Sequence, residues 1–484
     1  MNGKREAIPA RRMNPITWLR KLERATRPVD PETRAAIERR WNELPDHVHT
    51  PAQTLGRVGV GCEGTHGVFP RCNFACRPCY HSRDANQVRI DGPHTVAEVT
   101  SQMAMLRSLR APHAHAQLIG GEVSLLDPDD HAEALLAMRR YGREPMSFTH
   151  GDFDESYLER LALGPDGTPR FRRLSFAGHF DTTMVGRSGL RRSTNEEDLD
   201  PFRRRFCEMF QRLRRRHGVR FYLAHNMTIT PANVDQIPGV IARCRAMGFN
   251  LFSFQPAAYV GDERRWSESY RSLDPDAVWR RIEEGAGARL PYHLFEVGDT
   301  RCNRSAWGFY VGDCWHSILD DADPKDIAVR DACLRYFGGV YFKAPLRLLV
   351  PRLVRLFLRH PHLVPIGIGW LLRTVHRIGG PLPLLRHRPV PMTFVMHRFM
   401  HADDVAPAWA KLEQGEMSDD PRIRETQERL QACSYAMVHP ESGKIVPACV
   451  QHSVLDPLEN RQLVRLLPIA RREQPPDAQP ATSP

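Results

Sequence analysis

Residues 95–150 read TVAEVTSQMAMLRSLRAPHAHAQLIGGEVSLLDPDDHAEALLAMRRYGREPMSFTH. An amphipathic stretch, Thr95–Arg110, gives way to a short apolar run, Ala114–Gly120. A second amphipathic stretch, Asp129–Tyr141, leads to a second run, Pro145–His150. Helix, strand, helix, strand at this spacing predict crossover units, which set consecutive strands parallel.

The alternation extends outward in both directions. Upstream, LGRVGV (Leu55–Val60) predicts a first strand. Downstream, the helix DESYLERLAL precedes the strand RLSFAG, and the helix DPFRRRFCEMFQRLRRRHG precedes the strand RFYLAHNMTIT. The helix ANVDQIPGVIARCRAMG then precedes the strand FNLFSFQP. Six strands in about 200 residues predict an α/β fold, a partial (β/α)6 TIM-like barrel over 54–260. Around it the sequence predicts a helical lead-in over 1–53, containing DPETRAAIERRWNEL, and a connecting region over 261–334. A basic, apolar segment over 335–400 follows, then a cysteine-containing C-terminal extension over 401–470 and a Pro-rich, disordered tail over 471–484. Chemistry in such folds gathers at the carboxyl ends of the strands.

The 484 residues are 41% hydrophobic and 26% charged, which excludes a fibrous or wholly disordered chain. Eleven cysteines, with no apolar signal core in Met1–Leu19, predict a reducing, cytoplasmic compartment without a disulfide framework. The longest apolar run, Leu363–Leu372, is far short of the roughly 20 residues that cross a bilayer.

The formal charge of +11 is concentrated. Arg335–Met400 holds eleven Lys or Arg and no Asp or Glu, so the rest of the chain is neutral. Arg347, Arg352, Arg355 and Arg359 recur at helical steps, leaving Leu346, Leu349, Leu353, Leu356 and Phe357 for another face. A core helix with arginines facing water would look the same. The absence of acids favours peripheral contact with an anionic membrane. The richness in leucine argues against nucleic acid.

Pro70–Ser82, PRCNFACRPCYHS, places Cys72, Cys76 and Cys79 in a C-x3-C-x2-C array beyond the first strand. One reading is zinc, with His81, Cys62 or His66 as fourth ligand. Another is a four-iron cluster that keeps one iron open for a ligand. Three buried, reduced cysteines are the plainest alternative.

The array, with Tyr80 beside its last cysteine and Gly120-Gly121-Glu122 at the end of the second strand, resembles the radical S-adenosylmethionine superfamily. The resemblance covers about residues 54–260. It implies a [4Fe-4S] cluster on Cys72, Cys76 and Cys79, whose open iron chelates S-adenosylmethionine, with the Gly-Gly-Glu element at the methionyl amine. It also implies reductive cleavage to a 5′-deoxyadenosyl radical that attacks a C–H bond, with a ferredoxin or flavodoxin as electron donor. Tyr80, Ser175, Asn226 and Gln255 are then candidate cofactor contacts, and His179 and Asp181 candidates for the substrate cavity.

Cys302, and Cys433 and Cys449 on a predicted hairpin (CSYAMVHPESGKIVPAC), are candidate ligands of an auxiliary iron–sulfur cluster. Buried structural cysteine is the competing account, and it is the expectation for Cys207 and Cys244. The only C-x2-C is Cys76/Cys79, which disfavours the peptide-modifying subclass, and 50–60 upstream residues leave no room for a cobalamin domain. The C-terminal pattern and the basic insert look like the tetraether-lipid-synthase branch, although the paired-cysteine metal motif of those synthases is absent from the N-terminal part. The sequence therefore predicts a radical enzyme for a hydrophobic, lipid-type substrate. The alternatives are the same chemistry on a soluble metabolite or peptide, and a non-enzymatic zinc protein associated with lipid or nucleic acid.

Overall fold

The computed structural model describes residues 29–469 apart from 113, 191, 341, 343 and 344. The first 28 residues of the lead-in and the expected disordered tail lie outside the described residues. Strands β1 (Cys62–Gly64), β2 (Ala114–Leu118), β3 (Arg143–Thr149), β4 (Arg173–His179), β5 (Arg220–Ile229) and β6 (Leu251–Pro256) lie side by side in chain order, all parallel. Helices Gly92–Arg110, Pro128–Arg140, Glu155–Ala162, Asp200–His217 and Ile237–Cys244 make the crossovers.

The sheet does not stop at the six expected strands. It continues through β7 (Asn303–Val311), β8 (Cys314–Ser317), β9 (Val390–His397), β10 (Tyr435–His439) and β11 (Lys444–Pro447), in the order β11-β10-β1-β2-β3-β4-β5-β6-β9-β7-β8. β9 joins β6 and β10 joins β1, both parallel, and the outermost strands add antiparallel ladders. The result is a curled, 11-stranded half-barrel in which the six expected parallel strands form the middle. The extra strands were invisible as barrel units because no alternation with helices announces them.

LGRVGV is a turn rather than a strand. Gly56 and Gly61 adopt φ of 72° and 109°, and a Cβ on Gly56 would lie 2.5 Å from the Trp41 backbone. Pairing with the main sheet begins at Cys62, after an isolated Leu55–Gly59 bridge within the turn. Helix starts are better marked. Asp30, Asp127, Asp274, Asp323 and Asp420 each cap a helix whose next residue is proline, and each accepts a backbone N–H in the first turn.

Strand alternation sorts the sheet into two faces. Leu174, Phe176, Leu223, Met227, Phe252, Phe254, Phe394 and Met396 point into the main core beneath the helices, among Phe206, Phe210 and Phe249. Buried Cys207 and Cys244 belong to this core, as expected. The intervening residues, including Ser175, Ala177, Asn226, Ser253 and Gln255, face the other way. A second apolar cluster, built on Met400, Val405, Met437, Cys449 and Val450, packs against Tyr80, Phe148 and Ile119. It seats the C-terminal extension beside the first strands.

The basic segment folds as helices Leu346–Arg359, Leu363–Arg377 and Leu382–Arg386 before ending as β9. No helix among the described residues is long and apolar enough to cross a membrane.

Candidate active site

The loop after β1 carries the three half-buried cysteines and is tied down on every side. Phe69 O accepts from Gly121 N (2.7 Å) and Arg71 O from Glu122 N (2.9 Å), so the backbone entering Cys72 is laid against the end of β2. Only glycine fits there, since a Cβ on Gly121 would lie 2.1 Å from Arg71 O and one on Gly120 2.7 Å from the Phe69 ring. Cys72 N donates to Asn86 Oδ1 (2.9 Å), Ala75 N to Val185 O (2.8 Å) and Arg77 N to Thr183 O (3.0 Å). The Arg77 guanidinium donates to Trp266 O (Nη2, 2.6 Å). The Phe74 ring stacks on His150 at 3.8 Å.

Burial, then Glu122 and the neighbouring sulfur, push the Cys72 thiol up to about 12. Burial and the other two sulfurs raise Cys76 well above the ordinary range. Such thiols stay protonated at neutral pH unless a metal centre takes their charge. Either a single tetrahedral zinc or a multi-metal core with one iron per thiolate would take that charge. The zinc reading's candidate fourth ligands are placed otherwise. The nitrogens of His66 contact Val438 O and Glu459, and Cys62 stands in β1 opposite Tyr435. Burial pulls His81 down to about 4 against the opposing pull of Asp456 and the Gly120 backbone, so it is neutral.

Glu122 does not point a free carboxylate into the cleft. It is 1% exposed and accepts from Ser124 N, Ser124 Oγ, Thr149 Oγ1 and His150 N at 2.6–3.0 Å. This leaves the backbone of Gly120 and Gly121 as the part of the motif nearest the loop. Tyr80 Oη donates to Gly120 O at 3.2 Å. Asp181 is also closed off, fully buried and bonded to His179, Thr183 and Thr228, whereas His179 remains partly exposed. Of the expected strand-end residues, Gln255 is next to last in β6, but Ser175 is only the third residue of β4, which runs four residues further. Ser175, Asn226 and Gln255 nonetheless share the face opposite the main core.

Sequence reading missed Arg265. It is 4% exposed, its charge acts on Cys72 and Cys76, and its Nε has no hydrogen-bond partner. A lone arginine beyond β6 carries no motif, and only its position after a strand end hinted at it.

Cys302 comes close to the hairpin that carries Cys433 and Cys449, with Arg429 beside Cys302 and Cys449. Arg429 Nε donates to Cys302 Sγ at 3.2 Å and its Nη2 has no partner, while the charges of Cys433 and Cys449 act on one another. Burial raises all three thiols.

The chain matches no family model and no curated protein. Among solved structures it is similar to Streptococcus suis SuiB, at 14% identity over 41% of this chain and 40% of that one, with a TM-score of 0.28. SuiB bound to S-adenosylmethionine gives the same identity and TM-score. Native anSMEcpe with bound AdoMet matches at 14% identity over 64% of this chain and 99% of that one, with a TM-score of 0.33. The chain thus spans about two fifths of the length of SuiB.

Proposed function

We propose that the protein is a radical S-adenosylmethionine enzyme that acts on a C–H bond of a lipid-type substrate at a membrane surface. The observation that carries the chemistry is the loop holding Cys72, Cys76 and Cys79, pinned across the end of β2 by Gly120 and Gly121. Cys72, Cys76 and Cys79 hold a [4Fe-4S] cluster. Bound cluster and cofactor supply one-electron cleavage of a sulfonium and, with it, a radical able to take hydrogen from unactivated carbon. The chain's part is to position and to exclude water. The Gly120–Gly121 backbone and Tyr80 face the cofactor, Arg265 holds positive charge beside the sulfurs, and Ser175, Asn226 and Gln255 make the face on which the rest of it lies. A ferredoxin or flavodoxin supplies the electron.

The lipid assignment rests on the basic segment. Leu346, Val350, Val354 and Leu358 form one stripe at four-residue steps, 50–78% exposed. Ile368, Leu371, Leu372, Leu382 and Leu385 add a further 51–83% each. A soluble surface rarely exposes so many large apolar side chains, and Arg347, Arg355 and Arg359 stand exposed on the first of these helices. An anionic membrane complements both features.

The sulfurs around Arg429 provide donors for a second iron–sulfur cluster, and the unpartnered guanidinium nitrogen suits an anionic core. Anaerobic incubation with S-adenosylmethionine, reductant and a cell lipid extract tests the whole reading. It expects 5′-deoxyadenosine and shifted lipid masses. Deoxyadenosine without any lipid change would direct the chemistry to a soluble substrate. A colourless protein holding only zinc would end it.

A further inference from the structure

A second set of donors stands at the carboxyl ends of β1 and β10, apart from the six cysteines assigned above. His66 lies two residues beyond β1 and His439 ends β10, its parallel neighbour. Their rings stack at 4.0 Å, and both are buried, 9% and 6% exposed. Glu459, from helix Asp456–Leu466, reaches both. Among the described residues these three are the one group of His, Cys, Asp or Glu whose ligand atoms all lie within 4.8 Å of one another.

The surrounding hydrogen bonds fix which nitrogen of each ring is the donor. His66 Nε2 sits 2.8 Å from the Val438 carbonyl, an acceptor only, so this nitrogen carries a proton. His439 Nε2 sits 2.7 Å from Gln451 Oε1. The Gln451 amide cannot be reversed, because its Nε2 donates to the carboxylates of Asp456 (2.9 Å) and Glu459 (3.1 Å). Both rings therefore turn Nδ1 towards one carboxylate. His66 Nδ1 lies 3.0 Å from Glu459 Oε2 and His439 Nδ1 3.5 Å from Glu459 Oε1, with Glu441 Oε1 3.2 Å from the latter nitrogen.

The spacing of the donors suits one shared ion. Nitrogen and oxygen ligands at about 2.1 Å in a tetrahedron stand about 3.4 Å apart, close to the 3.0–3.5 Å between these nitrogens and carboxylate oxygens. The two stacked rings present both Nδ1 atoms to the Glu459 carboxylate, so one cation would serve all three residues. The Val438 carbonyl and the Gln451 amide then act as the outer-shell acceptors that ligating histidines use.

We infer that His66, His439 and Glu459 form a binding site for a divalent transition ion of the zinc class, with Glu441 or water completing the tetrahedron on the solvent side. Imidazole donors select against magnesium and calcium, and the absence of sulfur sets the site apart from the cysteine-held centres. The ion ties the last helix to the end of the strand that runs directly into the Cys72 loop. It anchors the C-terminal extension at the edge of the candidate active site and takes no part in the radical chemistry.

The test uses the full chain, stripped with chelator and reloaded with Zn2+ or Co2+, both as the natural sequence and with Cys72, Cys76 and Cys79 changed to Ser. Both forms are expected to retain one zinc per chain through desalting and to gain thermal stability with Zn2+. Co2+ is expected to give visible ligand-field bands that persist in Glu441→Gln and vanish in Glu459→Gln and His439→Ala. Gln451→Met, which leaves every ligand in place, is expected to weaken zinc binding about 10- to 100-fold. If His439→Ala does not fold, Glu459→Gln and Gln451→Met carry the test. Undiminished zinc retention in Glu459→Gln would overturn the assignment. So would a Co2+ spectrum made only of sulfur charge transfer, or zinc that washes off the natural sequence.

Discussion

Around Glu122 the protein buries charge and satisfies every lone pair it can, whereas along Leu346–Arg386 it leaves large apolar side chains uncovered. Glu122 and Asp181 are 1% and 0% exposed, each ringed by donors. Leu358 and Leu385 are 78% and 83% exposed, with nothing over them. Each region departs from the usual sorting, in opposite directions. Buried carboxylates with full hydrogen-bond sets hold a loop in one geometry before any ligand arrives. Exposed leucines do the reverse, leaving apolar area in contact with water. One region is built to be rigid and the other to be covered.

The largest effects belong to the rigid region. Cys76→Ser is expected to abolish deoxyadenosine formation and to remove about four irons per chain, read by iron analysis after anaerobic reconstitution. An unchanged iron count would remove these sulfurs from the centre. Gly121→Ala comes next. Its methyl meets Arg71 O at 2.1 Å, backbone that cannot swing aside, so a loss of about 3 kcal/mol in chemical denaturation is expected. In Gly120→Ala the closest neighbour is the Phe69 ring, and about half that loss is expected. Equal losses would mean that the loop is not laid against β2 as described.

The two regions also differ in how far sequence alone reveals them. Cys72, Cys76, Cys79 and the two glycines are close in sequence and fall beside strands that periodicity marks clearly, so their meeting was legible. Cys302, Cys433 and Cys449 were nameable only as cysteines with no other use, because a meeting across 147 residues leaves no local pattern. His66 was nameable only as a candidate fourth ligand for a zinc on the cysteine array, and His439 and Glu459 gave no signal. They depend on β10 pairing with β1, a contact between residues 435 and 62 that no spacing rule anticipates. The basic segment was legible in composition, but its end as β9 was not, since VPMTFVMH follows a proline-rich run and pairs with strands on either side.

The hinge between the two behaviours is Asp326. Burial works against its ionisation, yet Arg377 and Arg373 outweigh burial and hold its carboxyl below the usual range. Those arginines lie on helix Leu363–Arg377, so the pair docks the apolar helices onto helix Pro324–Tyr336. A carboxyl whose folded value is depressed contributes stability that is complete above its unfolded value, about 3.9. That contribution is lost as pH falls through the folded value. Asp326→Asn is expected to cost about 2 kcal/mol at neutral pH and to speed hydrogen exchange over residues 363–377, with exchange at the Cys72 loop unchanged. The natural protein should show the same selective loosening below about pH 4.

Exposed leucines should matter to membranes and not to folding. Leu358→Ser and Leu385→Ser are each expected to leave Tm unchanged and to weaken binding to anionic vesicles about tenfold, roughly 1.4 kcal/mol. A lowered Tm with unaltered vesicle binding would make these side chains part of a core.

The smallest effect separates charge from apolar area on the same helix. Arg347, Arg355 and Arg359 are exposed, and each contributes about 1 kcal/mol near an anionic surface. Changing all three to Gln should weaken binding to phosphatidylserine vesicles at about 0.1 M salt and leave the weaker binding to neutral vesicles alone. The difference should fade towards 1 M salt, where the screening length shrinks to about 3 Å, while the Leu358→Ser deficit persists. Screening acts on the arginines and not on the leucines, so a salt response shared by both sets would show that the helix meets the membrane through charge alone. In that case the uncovered stripe would need another occupant.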